Sequence, residues 1–469
     1  MEMAQPPVIP TPGARRLAVF LKVAGICLLI ALLNIPLLMT HGVLRERRAY
    51  QAQATDEIAG IWGRAQRVTG PVLAVPYAYK TQVVRSKVVN GRAVQVEETE
   101  LATAVAYFLP EMLGVKGNVE PEVRRRGIYE AVVYTSKLDF SGTFQPDFVA
   151  AGLEPERIDW DKARVLFGVS DLHGVRSVAP FKSANGQESS FESTDGSPDA
   201  FLSLAAKAGG VTAGGKLEFV MAAVLQGSER LEIAPLGKTT SVALTSPWPD
   251  PSFTGASLPV KRDVSTAGFK AEWASAHFSR GFPQAWTNRT TPDADMARKI
   301  AAASFGVRFT QPVDGYSLAE RAQKYGVLFF VLVFAVFFLF EVTSPALRIH
   351  PLQYAMVGAA LALFFLGFLA LSEFLSTASA YAASAGACTL LVSLYTWSFL
   401  QAGWRTLVIA GGLGGTYGYL YFVLQSQDYA LLAGTAALFA ALALVMFCTR
   451  RLNWYSLEMN APAASAAGR

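Results

Sequence analysis

The runs YGVLFFVLVFAVFFLFEV at 325–342 and LQYAMVGAALALFFLGFLAL at 352–371 open a stretch, 325–447, in which apolar residues fill almost every position. Read in windows of about 19 residues, it resolves into five segments, 325–342, 352–371, 378–400, 406–424 and 430–447, each long enough to cross a hydrocarbon core about 30 Å thick. The charged side chains between its ends are Glu341, Arg348, Glu373, Arg405 and Asp428, all at or beside a segment boundary. Because a charge at mid-bilayer costs several kcal/mol, this distribution is the one a membrane-spanning bundle requires.

Working outward, a sixth apolar run at 17–39 follows Arg15 and Arg16 and carries Lys22 near its start and Asn34 and Pro36 near its end. It is longer than the hydrophobic region of about 7–15 residues in a cleaved signal peptide, and LLMTHGV offers no small-x-small cleavage site, so it reads as an uncleaved signal anchor. Pro36 is expected to kink its outer end. Residues 1–16, rich in proline and small residues, read as a disordered cytoplasmic tail. This assigns 40–324 to the far side of the membrane, 325–447 to a five-helix bundle and 448–469 to a second cytoplasmic tail carrying an interfacial Trp454-Tyr455. Arg348, Arg405, Arg450 and Arg451 then lie on the cytoplasmic side, while the joints 373–377 and 425–429 carry no Lys or Arg, in agreement with the positive-inside rule. Arg45, Arg47 and Arg48, just outside the first span, are the discordant feature.

The 469-residue chain is 52% apolar and 16% charged, too apolar for an ordinary soluble enzyme and long enough for a bundle plus a second domain. Residues 44–68 have helical spacing, with Ile58, Ile61, Trp62 and Ala65 sharing a face, and read as a stalk helix. After Gly70-Pro71 the texture changes to period two. Asn90-Gly91 between two such runs marks a hairpin, and Val132, Tyr134, Leu138 and Phe140 alternate with Thr135, Lys137 and Asp139. Leu217, Phe219, Met221 and Leu225 form a similar series. The expected fold is therefore a six-helix transmembrane bundle plus an all-β, antiparallel sandwich or barrel-like domain on the non-cytoplasmic side. Residues 183–213, rich in Ser, Gly and Asp, read as a long loop with a short helix at 199–207.

Searching for chemistry excludes several classes. There is no H-E-x-x-H, G-x-S-x-G, Walker or dinucleotide signature, so no cofactor, metal or catalytic residue is assigned. The net charge of +5 is not gathered into a basic patch, which gives no support to nucleic-acid binding. Cys27, Cys388 and Cys448 lie in or beside apolar spans and form no disulfide framework. His173 stands beside Asp171 in SDLHG, an acid–base or metal pairing in one reading and a solvent-facing turn in the plainer one. Arg124, Arg125 and Arg126 could take an anion or a lipid headgroup, with a solvated turn face as the plainer reading. The acids Glu341 and Glu373 are candidate functional groups at the membrane edge, at opposite faces, with interfacial solvation or pairing to Arg348 the structural alternative for Glu341. Gly411, Gly412, Gly414, Gly415 and Gly418 form small-xxx-small ridges suited to close helix packing. Trp248, Pro249, Asp250, Pro251 and Phe253 form a candidate recognition loop, the alternative being a proline-stiffened corner with both aromatics packed inward.

The strings TGPVLAVPY, AYFLPE, RRGIYEAVVY, TSPWPDPSFTGASLPVKRDVSTAGFKAEW, ERAQKYG, FFLFEVTSPALRIHPLQYAMVG and ALSEF are more specific than any of these patterns. From 17 to 455, the loop 183–213 excepted, the chain resembles the CreD family of bacterial inner-membrane proteins, described as involved in cell-envelope integrity. The resemblance implies one N-terminal helix, a large periplasmic domain and a C-terminal helical bundle. It further implies a link to a two-component envelope-stress response and to colicin tolerance, and it supplies no established catalytic residues. The expected function is a non-enzymatic structural or sensory role in envelope integrity, with the lipid bilayer and periplasmic or membrane proteins as partners. A transporter or channel-like translocator is the alternative, and an enzyme acting on periplasmic envelope polymers is the second.

Overall fold

The computed structural model describes residues 12–89, 92–194, 201–212, 214–309, 315–343, 349–400, 403–425 and 430–450. They fall into two units, Gln51–Pro312, and Met1–Tyr50 with Val313–Arg469. Helix α1, Pro12–Trp62, runs through the boundary as one 51-residue helix with Pro36 inside it, so the first span and the expected stalk are a single element. The Thr40 hydroxyl donates to the Pro36 carbonyl at 2.9 Å and the Asn34 amide to Ile30 at 2.8 Å, local bonds that hold polar side chains against the helix around the proline.

Among the described residues, the unit Gln51–Pro312 holds two sheets, of ten and nine strands. Gln66–Val89 pairs antiparallel with Arg92–Phe108 from Leu73↔Phe108 to Val89↔Arg92; the Asn90-Gly91 dipeptide between them lies outside the described residues. In the other sheet Met112–Arg126 and Leu217–Ser228 flank Tyr129–Phe144, both antiparallel. The period-two reading holds here: Val132, Tyr134, Leu138, Phe140, Leu217, Phe219, Met221 and Leu225 are all buried, while Lys137 and Asp139 are exposed. Each buried large apolar side chain contributes about 1.5–3 kcal/mol. Aromatic contacts such as Trp273 stacked on Phe305 at 5.7 Å and Phe144 on Phe219 at 5.0 Å bind the core together.

Three expectations are corrected. The sheets are mixed, because Gln66, Arg67 and Val68 pair parallel with Leu231, Glu232 and Ile233, and Thr239–Ser246 pairs parallel with Met112–Arg126. Alternation along one strand carries no information on the direction of a neighbour distant in sequence. Residues 204–207, expected to be helical, form the strand Leu204–Lys207 against Arg164–Val169. Ala205 and Ala206 are buried there, and so short an apolar run has no period of its own. The surrounding segment also carries the short strands Glu188–Ser189 and Glu192–Ser193. Sequence reading also passed over α2, Asp293–Ala303, which opens with Asp293 and Asp295 in its first turn and buries Met296 and Ile300 one turn apart.

Where α1 hands over to the first strand, Gly63 has φ +140°, and a Cβ there would lie 2.6 Å from the Gln226 carbonyl oxygen and 3.0 Å from Gly174 Cα. Gln66 secures the same place by donating to the Asp171 and Gln226 carbonyls at 2.9 and 3.0 Å. Gly63→Ala is expected to lower the stability of this unit by about 3 kcal/mol, combining backbone strain with an overpacked contact. A denaturant titration followed by tryptophan fluorescence measures it, and an unchanged midpoint would show that the turn can relax.

The helical unit contains α3 (Gly315–Lys324), α4 (Gly326–Thr343), α5 (Pro351–Leu371), α6 (Thr377–Leu400), α7 (Gly403–Gln425) and α8 (Ala430–Thr449). Among the described residues, four helices are long and apolar enough to cross a membrane, those within Leu21–Trp62, Pro351–Leu371, Thr377–Ser398 and Gly403–Gln425, or five if α3 and α4, bent by 49°, form one span. The HPLQY sequence is a helix start. His350 is the N-cap, its ring accepting from the Leu352 amide at 3.2 Å, Pro351 takes the first position, and the Gln353 side chain accepts from the His350 amide at 2.9 Å. Glycine permits close packing at Gly326 and Gly358, where an added Cβ would run into Leu37 and Leu33 of α1 respectively. At Gly411, Gly412, Gly414, Gly415 and Gly418 of α7 nothing lies within 4 Å of an added Cβ. The expected packing ridges of α7 therefore line open space.

Candidate functional site

Glu341 and Glu373 are each held in a cluster built from several helices. At one end of α5, Lys22 of α1 donates to the Glu341 carboxylate of α4 and to the Ile349 carbonyl at 3.1 Å, and the Tyr354 hydroxyl of α5 donates to Glu341 at 3.4 Å. Arg348, considered from sequence as the partner of Glu341, lies outside the described residues. Beyond the other end of α5, Glu373 accepts from the Tyr316 hydroxyl of α3 at 3.3 Å and stands 3.5 Å from Arg47 Nε. Since α5 has 21 residues, the clusters are separated by about 30 Å. No proton passes directly between them.

The second cluster extends along α3. Arg48 pairs with Glu320 at 2.6 Å, Gln323 Oε1 lies 3.2 Å from His41 Nδ1, and Arg321 donates to the Leu424 carbonyl in the last turn of α7 at 3.4 Å. Helix α3 is amphipathic, burying Tyr316, Leu318, Ala319, Ala322 and Gln323, and its polar side chains brace α1, the end of α5 and the end of α7. This accounts for two of the arginines that strained the topology reading, because Arg47 and Arg48 face Glu373 and Glu320. Sequence reasoning missed Lys22, Arg47, Arg48, Tyr316 and Tyr354 as members of these clusters. The available signal was charge balance within each end: Lys22 and Glu341 fall at one face, and the arginines, Glu320 and Glu373 at the other.

The stretch 245–255 is a corner between the sheets. Thr239–Ser246 belongs to the nine-stranded sheet, and Pro251–Gly255 joins the ten-stranded one against Phe305–Phe309. Trp248 meets Phe309 edge-on at 6.4 Å and its indole donates to the Asp250 carbonyl at 3.2 Å. Phe253 sits 5.7 Å from both Phe269 and Trp273. Both aromatics are thus partly buried against the core, and Pro249 and Asp250 form the exposed tip. Pro251 begins an edge strand, where its missing N–H is tolerated.

The remaining candidates sit in ordinary surroundings. His173 is exposed, its ring 3.1 Å from Asp171. Burial raises the Asp171 carboxyl, but hydrogen bonds from the Arg64 and His173 amides and from the His173 ring outweigh it and hold the group below its ordinary value. Arg124, Arg125 and Arg126 pair with Glu122, Glu130 and Glu57 at 2.7, 2.6 and 2.7 Å, and Arg124 also lies over the Trp62 ring at 4.5 Å. Among the described residues no group of three or more His, Cys, Asp and Glu could hold a metal ion.

The family model described as inner membrane protein CreD matches residues 18–455, which takes in α1, both sheets and the helical unit. The chain belongs to the CreD family. Among curated relatives, the inner membrane protein CreD of Escherichia coli (strain K12) is 31% identical over 446 residues, covering 94% of this chain and 94% of that protein. The CreD match therefore embraces both charge clusters and the 245–255 corner.

Proposed function

We propose that this CreD-family chain is an inner-membrane protein that supports cell-envelope integrity as a structural or sensory component. In this reading it has six spans, formed by α1, the α3–α4 pair and α5 to α8, with both termini cytoplasmic and Gln51–Pro312 periplasmic. The observation that carries it is the engagement of both membrane-edge acids by cations of α1: Lys22 holds Glu341 and Arg47 holds Glu373. Groups so placed fasten the first span to the later helices. Family membership and the agreement of the short joints with the positive-inside rule give further support.

A translocator has one observation in its favour, a buried polar string between α5, α6 and α7. The Tyr381 hydroxyl donates to the Tyr417 carbonyl at 2.7 Å, the Tyr417 hydroxyl to Cys388 Sγ at 3.2 Å, and Cys388 to the Ala360 carbonyl at 3.3 Å. The deciding experiment is deletion of the gene, with sensitivity to detergents, β-lactams and colicins measured beside uptake of small solutes, and reporter fusions at Gln145 and Arg405. Altered envelope sensitivity with unchanged uptake, a periplasmic signal at Gln145 and a cytoplasmic one at Arg405 are expected. An uptake defect restored by wild type but not by Cys388→Ala would favour translocation, and a cytoplasmic Gln145 would overturn the topology.

A further inference from the structure

The open space beside Gly411, Gly412 and Gly415 of α7 is a slot of about 700 Å³ between α4, α7 and α8, lined among others by Phe329, Val333, Ala436 and Ala440. Its dimensions restrict what can enter. The lining runs from Val408 to Val423 along α7 and from Tyr325 to Phe337 along α4, which at 1.5 Å per residue is a length of about 18–22 Å. The volume of about 700 Å³ spread over that length makes a long, narrow apolar groove that accommodates an extended hydrocarbon chain.

The chemistry of the lining agrees. No charged side chain contributes to it. The Thr416 hydroxyl is satisfied by the Gly412 carbonyl at 2.6 Å and the Tyr419 hydroxyl by the Ala433 carbonyl at 2.7 Å. A polar ligand would find few partners, and water needs several. Leaving the slot empty forfeits dispersion contacts along its whole wall, so in a bilayer the occupant is drawn from the lipid chains. A chain gains little by moving from one hydrocarbon surrounding to another, which leaves selectivity to the headgroup. At the end where α7 begins and α8 finishes stand Arg405, beside the Trp404 ring at 5.6 Å, and Arg450, over the Phe447 ring at 3.8 Å. Two cations at one end of an apolar slot complement a phosphate.

We propose that this slot holds one acyl chain of an anionic phospholipid, with the headgroup at Arg405 and Arg450. The proposal rests on the spanning reading of α4, α7 and α8 given above. The test uses the full-length chain in nanodiscs of phosphatidylcholine doped with phosphatidylglycerol that carries a diazirine midway along one chain, with adducts mapped by mass spectrometry. Saturable labelling of the slot residues is expected, competed by unlabelled phosphatidylglycerol roughly 10- to 30-fold better than by phosphatidylcholine, the preference two surface arginines provide. Filling the slot with Gly411→Leu and Gly415→Leu should remove those adducts while the lipid-facing Leu390 and Leu394 of α6 remain labelled. Arg405→Gln with Arg450→Gln should abolish the phosphatidylglycerol preference and retain the α6 labelling. If slot and α6 face label equally in wild type and the glycine variants change nothing, the slot holds only bulk lipid and the proposal is overturned. Absence of label on every helix, the α6 face included, would overturn the spanning reading itself and this proposal with it.

Discussion

Arg280→Ala is expected to cost the β-rich unit about 3–5 kcal/mol, because it removes the one cation around which a buried turn is folded. Arg280 is only 7% exposed. One guanidinium nitrogen donates to the Pro235 and Gly237 carbonyls at 3.1 Å each and to that of Leu236, and the other reaches Gln284. Gln284 in turn donates to the Leu109 and Pro110 carbonyls at 3.1 and 2.8 Å, so the arginine organises two turns at once. The Phe282 ring lies 4.7 Å beneath it. Burial lowers its pKa to about 10, with Glu111 opposing; that value leaves the group charged at neutral pH, and the carbonyl dipoles supply what solvent would have given. Gly237 would keep a bond from the Thr240 hydroxyl at 3.3 Å. The Pro235 and Leu236 carbonyls would lose the arginine's donors, at about 1–3 kcal/mol each. Arg280→Lys should recover little, since an ammonium cannot reproduce the planar fork that spans the carbonyls. Thermal unfolding of the purified protein, with proteolysis of the β unit as a second readout, checks this. A loss below about 1 kcal/mol would mean that the turn is set by its backbone and not by the arginine, given the cost of orphaned buried carbonyls.

How much of this was legible in the sequence depended on whether the determining physics was local. Apolar length marks α5, α6 and α7 because the hydrocarbon core imposes one length on every span. Period two marked Tyr129–Phe144 and Leu217–Ser228 because each strand buries one face whatever its neighbour is. Strand partners were not legible: nothing local to Val68 announces Ile233, and nothing local to Thr239 announces Met112. The strand Leu204–Lys207 is fixed by the edge of Arg164–Val169 that it completes, so four residues read alone favoured the wrong element. At the corner 245–255 the types and spacing of Trp248 and Phe253 were plain, but inward packing depends on Phe309, Phe269 and Trp273, which close over them from elsewhere in the chain. The α7 glycines show the same limit. Their spacing is that of a packing ridge, yet whether a ridge meets a helix or a slot is decided by where α4 and α8 lie.

Lys22→Glu is the other substitution with a large expected effect, and it tests the pairing directly. In wild type the ammonium is shared between the Glu341 carboxylate and the Ile349 carbonyl, with the Tyr354 hydroxyl completing the carboxylate's shell. Reversing the charge places two carboxylates together and turns a donor at the Ile349 carbonyl into an acceptor. The pair is partly buried, its side chains 25% and 15% exposed, so breaking it costs less than the roughly 3–5 kcal/mol of a fully buried pair, and repulsion adds to it. The variant should accumulate in the membrane fraction at a small part of the wild-type level and unfold at a distinctly lower temperature in nanodiscs. Glu341→Lys alone should behave similarly, by setting two ammonium groups together. Combining the two restores opposite charges and should recover about half or more of the loss, the remainder belonging to Ile349 and Tyr354, which are oriented for the original polarity; contacting residues couple by about 0.5–3 kcal/mol in such cycles. A double variant no better than the worse single one would show that each residue serves its own helix and that the pair does not join α1 to α4. A harmless Lys22→Glu would go further and remove the cluster's structural role. Recovery in the double variant alone would identify the contact between α1 and α4 as the fastening, because no property of either helix by itself changes sign with both charges exchanged.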